Sequence, residues 1–457
     1  MNSFIQSTET KASSSVSAGL TVLGRLSGVQ ALSRRVPLID PRSFLPQSCG
    51  HGLCVTGSVD PVCTPDPRWP GSWQVWRVGE PLPKATFDVI FLSEDVFSTL
   101  LNPQALLVQL REVTSSTSIL IADFVPALDW ELLAQALEGD IAGGEGVDQA
   151  RATLSASALY KLLLDTGWVP SLLSESSTPL VSSPAIEAAM QAAERLGVPK
   201  ATALRNWQSS RLLLRCDRMF DEDLVVAERL ASGARFSVVV PTTRPRQLRM
   251  NVGASPGLHE LQAQLITVHD AKSAADAWKR AIVHVEEEWI LFCHQDVYFP
   301  RGFGRRLQRH LASIEPDRKP STLLGFAGMG VTTDRSKIAP AGFVIDRRHR
   351  FDHQSTEHAT SIDELAIVMH RDTVHRIDAS LGWHLWATDL CVTAISRLKC
   401  FGEIMRIPLF HNSTNDYVLP SAFHESAARL GAKHADFGRI DTLCGPVNPL
   451  PAHRSTN

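Results

Sequence analysis

The sequence predicts an α/β protein built from two Rossmann-like parallel-sheet domains. Three observations carry this. Unbroken apolar runs, FDVIFL at Phe87–Leu92, FSVVVP at Phe236–Pro241 and WILFC at Trp289–Cys293, have the length and composition of strands buried on both faces of a parallel sheet. Stretches of helical periodicity alternate with them. A chain of 457 residues leaves room for two or three domains, at roughly 100–200 residues each.

Residues 1–17 are rich in Ser and Thr and are predicted to be disordered. The first domain is placed at 18–182. In it, Gly19–Gly28 suits a strand and a turn, and Cys49–Pro83 is rich in Gly, Pro and Trp. Phe87–Leu92 is a strand, Pro103–Val113 a helix, Ser118–Phe124 a strand and Trp130–Glu138 a helix. Ser157–Gly167 is a further helix, with Gly167 suited to its C-cap. Residues 183–234 are charged and read as a helical linker broken at Val198-Pro199. The second domain, 235–445, opens with Phe236–Pro241, and a tail follows at 446–457. Leu265–His269 is its next strand. Ser273–Val285 is an amphipathic helix whose Ser273 N-cap and Asp276 approach a capping box. Trp289–Cys293 follows, then a helix through Phe303, Leu307, Leu311 and Ile314.

Composition narrows the function. Hydrophobic content of 44% and charged content of 20% are those of an ordinary globular protein. A formal net charge of -3 gives no electrostatic case for nucleic acid. No apolar stretch reaches the ~18 residues of a membrane helix, and the polar first residues lack the apolar core of a secretory signal. The expected address is the cytoplasm, with peripheral membrane contact left open. The cysteines form no Cys-x-x-Cys pair, and Cys49, His51, Cys54 and Cys63 fit no standard zinc spacing.

The densest chemistry stands at the end of one strand. Trp289–Cys293 runs directly into His294-Gln295-Asp296. Ligands of open α/β sheets bind outside the carboxyl ends of the strands. A carboxylate there can hold a divalent cation, and the cation can clamp a diphosphate. Further marks follow. Gly325–Gly330 reads GFAGMG, which suits either backbone approach to a ligand or a tight turn. Thr388-Asp389 starts a helix, and His411 ends a strand read at Ile404–Phe410.

Together these marks resemble a family-2-type glycosyltransferase with the A-type nucleotide-sugar fold, over residues 236–417. The closest resemblance is to a bacterial subgroup whose acidic motif reads HQD-[VI]-Y, intact here as His294–Tyr298. The opening strand matches Val238–Pro241. The Ser-Pro-Gly turn matches Ser255-Pro256-Gly257, and the small-residue helix matches Ser273–Ala277. The late marks match Asp389-Leu390-Cys391 and His411. The resemblance implies an inverting, hexosyltransferase-type enzyme that moves a sugar from a nucleotide-sugar donor to a glycan or lipid-linked glycan acceptor. The product would be a surface-glycan precursor. Asp296, with His411, would hold Mn²⁺ or Mg²⁺. Asp389 would be the general base. Pro241, Thr242, Asp270, His294 and Gln295 would bind the donor. This chain departs from the family's pattern at His294, in place of the first Asp of Asp-x-Asp, and at Thr242-Thr243-Arg244, in place of Tyr-Asn. It has no Gln-x-x-Arg-Trp acceptor motif, which argues against polymer synthesis.

Residues 86–170 resemble the second half of a class-I S-adenosylmethionine methyltransferase. Phe87–Ile90 match its fourth strand, Asn102-Pro103 precede a helix, and Ile119–Asp123 match its fifth strand. The first half departs from the pattern. Its acidic Gly-rich turn would fall at Val22–Gly28, where there is no acid and Arg25 obstructs. The next strand would be Cys54–Val59, ending in Asp60 as ribose ligand. S-adenosylmethionine is therefore not an expected cofactor, and the domain reads as degenerate. Two alternatives stand beside this reading: a bifunctional methyltransferase and glycosyltransferase, and a catalytically dead glycan-binding or assembly module.

Overall fold

The computed structural model describes residues 45–46, 49–57, 69–100, 102–126, 154–177, 184–195, 198–219, 234–413 and 418–448. The expectations for 1–17, Gly19–Gly28, Trp130–Glu138, Asp60 and Cys63 lie outside these residues. The chain divides into two compact units, Met1–Leu159 with Trp168–Arg218, and Tyr160–Gly167 with Met219–Asn457. The α/β class is as expected.

The first unit is built on a six-stranded sheet. Its strands are β1 (His51–Thr56), β2 (Ser72–Arg77), β3 (Phe87–Leu92), β4 (Thr114–Phe124), β5 (Trp168–Ser177) and β6 (Ser209–Arg218), in the order β2-β1-β3-β4-β6-β5. The first four run parallel, and β6 is antiparallel to both its neighbours. Four of β3's five apolar residues are all but inaccessible, as a strand covered on both faces requires. Helices α1 (Glu94–Thr99) and α2 (Pro103–Gln109) connect β3 to β4. Asn102 caps α2 by accepting from the Ala105 amide at 3.0 Å, and Pro103 occupies the first turn, where no N–H is needed. Helix α3 (Ala156–Asp165), whose residues from Tyr160 on belong to the second unit, corresponds to the predicted Ser157–Gly167 helix, and Gly167 follows it at φ +80°.

Two expectations are corrected here. The charged segment 183–234 holds helices α4 (Pro184–Arg195) and α5 (Lys200–Gln208), but Ser209–Arg218 is strand β6 rather than helix. Leu212-Leu213-Leu214 is an apolar run with no period of its own, and pairing with β4 and β5 buries all three residues and decides the conformation. The strand placed second, Cys54–Val59, is β1, which lies directly beside β3. That is the first-strand position of a doubly wound sheet. The register therefore moves by one strand, and the strand-end residues are Thr56 on β1 and Arg77 on β2.

The second unit is organised on a 12-stranded sheet. Its strands are β7 (Phe236–Thr242), β8 (Gln264–His269), β9 (Trp289–Cys293), β10 (Val297–Tyr298), β11 (Leu323–Gly325), β12 (Ala327–Val331), β13 (Ile338–Asp346), β14 (His349–Asp352), β15 (Thr356–Ile362), β16 (Ala366–His370), β17 (Gly402–Ile404) and β18 (Leu409–His411). The path is β10-β18-β13-β12-β15-β17-β11-β16-β9-β7-β8, with β14 on β13. Strands β8, β7 and β9 are parallel, and β16 joins β9 antiparallel. A short hairpin, β19 (Ile440–Thr442) and β20 (Gly445–Val447), stands apart from the sheet.

Alternation along the strands divides the core in two. Phe236, Val238 and Val240 of β7 and Trp289, Leu291 and Cys293 of β9 pack into one cluster. Val239, Ile290 and Phe292 point into the other, as the period of two demands. Helices α6 (Pro245–Met250), α7 (Pro256–Glu260), α8 (Ala274–Ile282), α9 (Phe303–Leu311), α10 (Trp386–Thr393) and α11 (Ser421–Lys433) complete the unit. The predicted cap of α8 is present: Ser273 Oγ accepts from the Asp276 amide at 3.1 Å, and Asp276 accepts from the Lys272 amide at 2.9 Å. The GFAGMG stretch is strand rather than ligand loop. A Cβ on Gly328 would lie 2.2 Å from the Ser361 carbonyl oxygen of the paired strand, so the glycine serves close backbone packing. The strand read at Ile404–Phe410 is two short strands, β17 and β18.

Candidate metal centre and acidic cavity

The buried strand β9 delivers His294, Gln295 and Asp296 at its carboxyl end, as the apolar run and its abrupt polar stop indicate. Main-chain bonds then tie three distant segments to this turn. The His294 amide donates to Leu365 O at 3.0 Å, which brings in the segment just before β16. The Asn412 amide donates to Asp296 O at 2.9 Å, which brings in the end of β18. The Arg347 amide donates to His411 O at 2.9 Å, which brings in the end of β13.

The side chains converge accordingly. Donor atoms of His294, Asp296 and His411 lie within 4.8 Å of one another, the one group among the described residues with the geometry of a cation site. His411 Nε2 stands 3.4 Å from Asp296 Oδ1, and His411 Nδ1 stands 2.9 Å from Asp346 Oδ1. Burial opposes charge on His411, but the two carboxylates outweigh it and raise its pKa to about 10. Burial would likewise raise Asp296, yet the charge and hydrogen bond of His411 hold it down at about 2. Burial is the largest effect on His294 and lowers its pKa, which leaves a neutral imidazole. Two imidazoles and a carboxylate suit Mn²⁺ or a similar transition-type cation better than Mg²⁺, which prefers oxygen ligands and retained water. The donor set fits a divalent cation once His411 gives up its proton.

The other predicted residues fall into two groups. Pro241 and Thr242 end β7 beside this turn. Gln295 fixes them: its Oε1 accepts from Thr242 Oγ1 at 2.7 Å and from the Thr243 and Arg244 amides at 3.1 and 2.9 Å. Asp270 follows the adjacent strand β8, exposed and at φ +52°. Asp389, by contrast, does not join the cluster. It is 1% exposed, and both its oxygens are taken, by Lys433 Nζ at 2.8 Å and His434 Nε2 at 2.7 Å. Lys433 also reaches Asp378 at 2.6 Å. Asp389 therefore anchors α11 to α10, and a carboxylate so engaged is not placed to take an acceptor's proton.

Four functional candidates were missed in the sequence. Asp346 at the end of β13 is one. Asp363 and Glu364, after β15, form an acidic pair, and His384 stands 3.8 Å from Glu364 Oε1. Asp363, Glu364 and His384 line a cavity of about 100 Å³ together with Thr388, Leu419 and Phe423. Asp363 is raised to about 7, by burial first and by the charge of Glu364 second, and it also feels His411 and Asp346. The cavity and the histidine-carboxylate cluster are thus electrostatic neighbours. Glu364 Oε1 also accepts from the Leu385 amide at 3.3 Å. Leu385 holds φ +61°, an outlier for a branched residue that the surroundings must enforce. The only sequence signal was the Asp-Glu dipeptide just before the apolar run Leu365–Met369, which is also ordinary turn chemistry.

No family model matches the chain, and no curated protein matches it. Solved structures align with parts of the chain at low scores. GalNAc-T7 with UDP, GalNAc and Mn²⁺ aligns at 10% identity and a TM-score of 0.33, over 56% of this chain and 57% of that one. The alignment thus spans little more than half of that protein. A SAM-dependent methyltransferase from Thermotoga maritima aligns at 11% identity and a TM-score of 0.25, over 38% of this chain and 84% of its own. Another from Archaeoglobus fulgidus has the same identity and score, over 39% and 91%. At such scores nothing functional follows from these likenesses. Among the described residues, no helix is long and apolar enough to cross a membrane.

Proposed function

We propose that the second unit is an inverting glycosyltransferase that uses a nucleotide-sugar donor and divalent metal to extend a glycan precursor. One observation carries this reading: the His294–Asp296–His411 cluster and the Asp363–Glu364 cavity share one end of the sheet, joined by the bond from His294 to Leu365. His294, Asp296 and His411 would hold the cation, with Asp346 orienting His411 from behind. When bound, the cation would offset charge on the departing diphosphate. The Asp363–Glu364 pair takes the general-base role expected of Asp389. It accepts the acceptor hydroxyl's proton while that oxygen bonds to the anomeric carbon and the bond to the diphosphate oxygen breaks. One displacement inverts the anomeric centre. Gln295 holds residues 242–244 where the nucleotide would lie.

Turnover of nucleotide sugars with Mn²⁺ tests this. Asp296→Ala should abolish donor hydrolysis and transfer; unchanged turnover would remove the metal role. Within the first unit, Arg77 ends β2, the second-strand position where a ribose-binding acid belongs. That supports a methyltransferase-like scaffold without S-adenosylmethionine. Calorimetry at millimolar cofactor should give no heat, and saturable binding would restore the bifunctional alternative.

A further inference from the structure

The cavity beside the acidic pair has two unlike walls. One is polar and carries Asp363, Glu364 and His384; the other is apolar and carries Leu419, Pro420 and Phe423 from the start of α11. Phe423 meets His384 edge-on, with ring centroids 5.9 Å apart, so the two walls join in a fixed corner. The strained Leu385 and its bond to Glu364 fix the polar wall. A volume of about 100 Å³ is somewhat below the ~150 Å³ of an apolar protein cavity that takes up one benzene. That is too little for a lipid chain or two sugar rings, and enough for the reacting edge of one ring. Hydroxyls on an edge and C–H groups on a face are the chemistry of a pyranose. The negative charge that Asp363 and Glu364 share would repel a carboxylate or phosphate on the entering group.

We infer that this cavity is the acceptor subsite and admits one uncharged terminal sugar ring, with its apolar face on Phe423 and its hydroxyls on Asp363, Glu364 and His384. The inference rests on the transferase reading for its purpose, but its test does not need turnover. Saturation-transfer NMR on the full chain, with UDP and Mn²⁺ present, reads binding of methyl hexopyranosides, methyl hexuronides and n-butanol. Neutral hexosides should give signals at their ring C–H positions, and hexuronides and butanol should not. Phe423→Leu keeps apolar volume and should weaken hexoside binding about three- to ten-fold, the worth of an aromatic contact. Glu364→Gln should let hexuronides in. Equal binding of neutral and charged sugars, no hexoside binding at all, or no change in Phe423→Leu of parental melting temperature would each overturn the inference. Hexoside binding that survives in an enzyme whose turnover ignores Asp296→Ala would instead overturn the transferase reading and leave the sugar site standing.

Discussion

At the scale of single residues, the decisive contrast is between two carboxylates. Asp389 has a lysine and a histidine on its oxygens and no outlook on the cavity. Asp363 lies in the cavity wall with its pKa raised by burial and by Glu364. Two expectations follow. Asp389→Asn keeps a hydrogen-bonding side chain and should retain transfer, whereas Asp389→Ala should lose about 2–4 kcal/mol of stability by stripping a buried partner from Lys433 and His434. Urea unfolding beside a turnover assay separates the two, and loss of turnover in a stable Asp389→Asn would return the base to that position. The second expectation concerns pH. The proton on Asp363 leaves as pH rises through about 7, so transfer should rise across that range and flatten above it. Linkage gives stability the opposite slope: a carboxyl whose folded pKa is raised favours folding below its unfolded value, and that advantage is lost as pH climbs through 7. Asp363→Asn should therefore gain most in melting temperature above neutrality. A flat rate profile, or an equal gain at low and high pH, would contradict the assignment.

At the scale of elements, two sequence marks that seemed independent are in contact. Ser255 Oγ accepts from the Phe299 amide at 2.9 Å and donates to Asn251 O at 2.8 Å, while the Gly257 amide donates to Phe299 O at 3.0 Å. The Ser-Pro-Gly turn thus clamps the strand that leaves the HQDVY motif. A Cβ on Gly257 would fall 2.6 Å from Pro300 O and 2.7 Å from the Phe303 side chain, so only glycine fits. Ser255→Ala leaves a buried amide without its acceptor and should cost about 1–3 kcal/mol by urea denaturation. Gly257→Ala should cost at least as much, and an unchanged midpoint in both would show that the clamp contributes nothing. Short apolar strands, the α8 cap and the polar stop at His294–Asp296 were legible in the sequence because each is a local pattern, whereas the pairing of His411 with Asp296 came only from the family resemblance. Strand β6 was not, since three adjacent leucines carry no period and only pairing decides them. The acidic pair was not either, because its meaning depends on β15 and β16 carrying it to the end of β9, a contact far apart in the chain.

At the scale of the whole molecule, each unit carries its own sheet, and the chemistry described lies in the second. In the proposed reaction His294, Asp296 and His411 bring a cation to a nucleoside diphosphate. Ligands that bind only the folded state report themselves as stability. Calorimetric titration of UDP and GDP into the full chain, with and without Mn²⁺, is the most direct measurement. At least one nucleotide should bind with Mn²⁺ and lose at least about ten-fold in affinity without it, and Asp296→Ala should erase the difference. Binding equally strong with and without the metal, or a metal effect that survives Asp296→Ala, would contradict the claim.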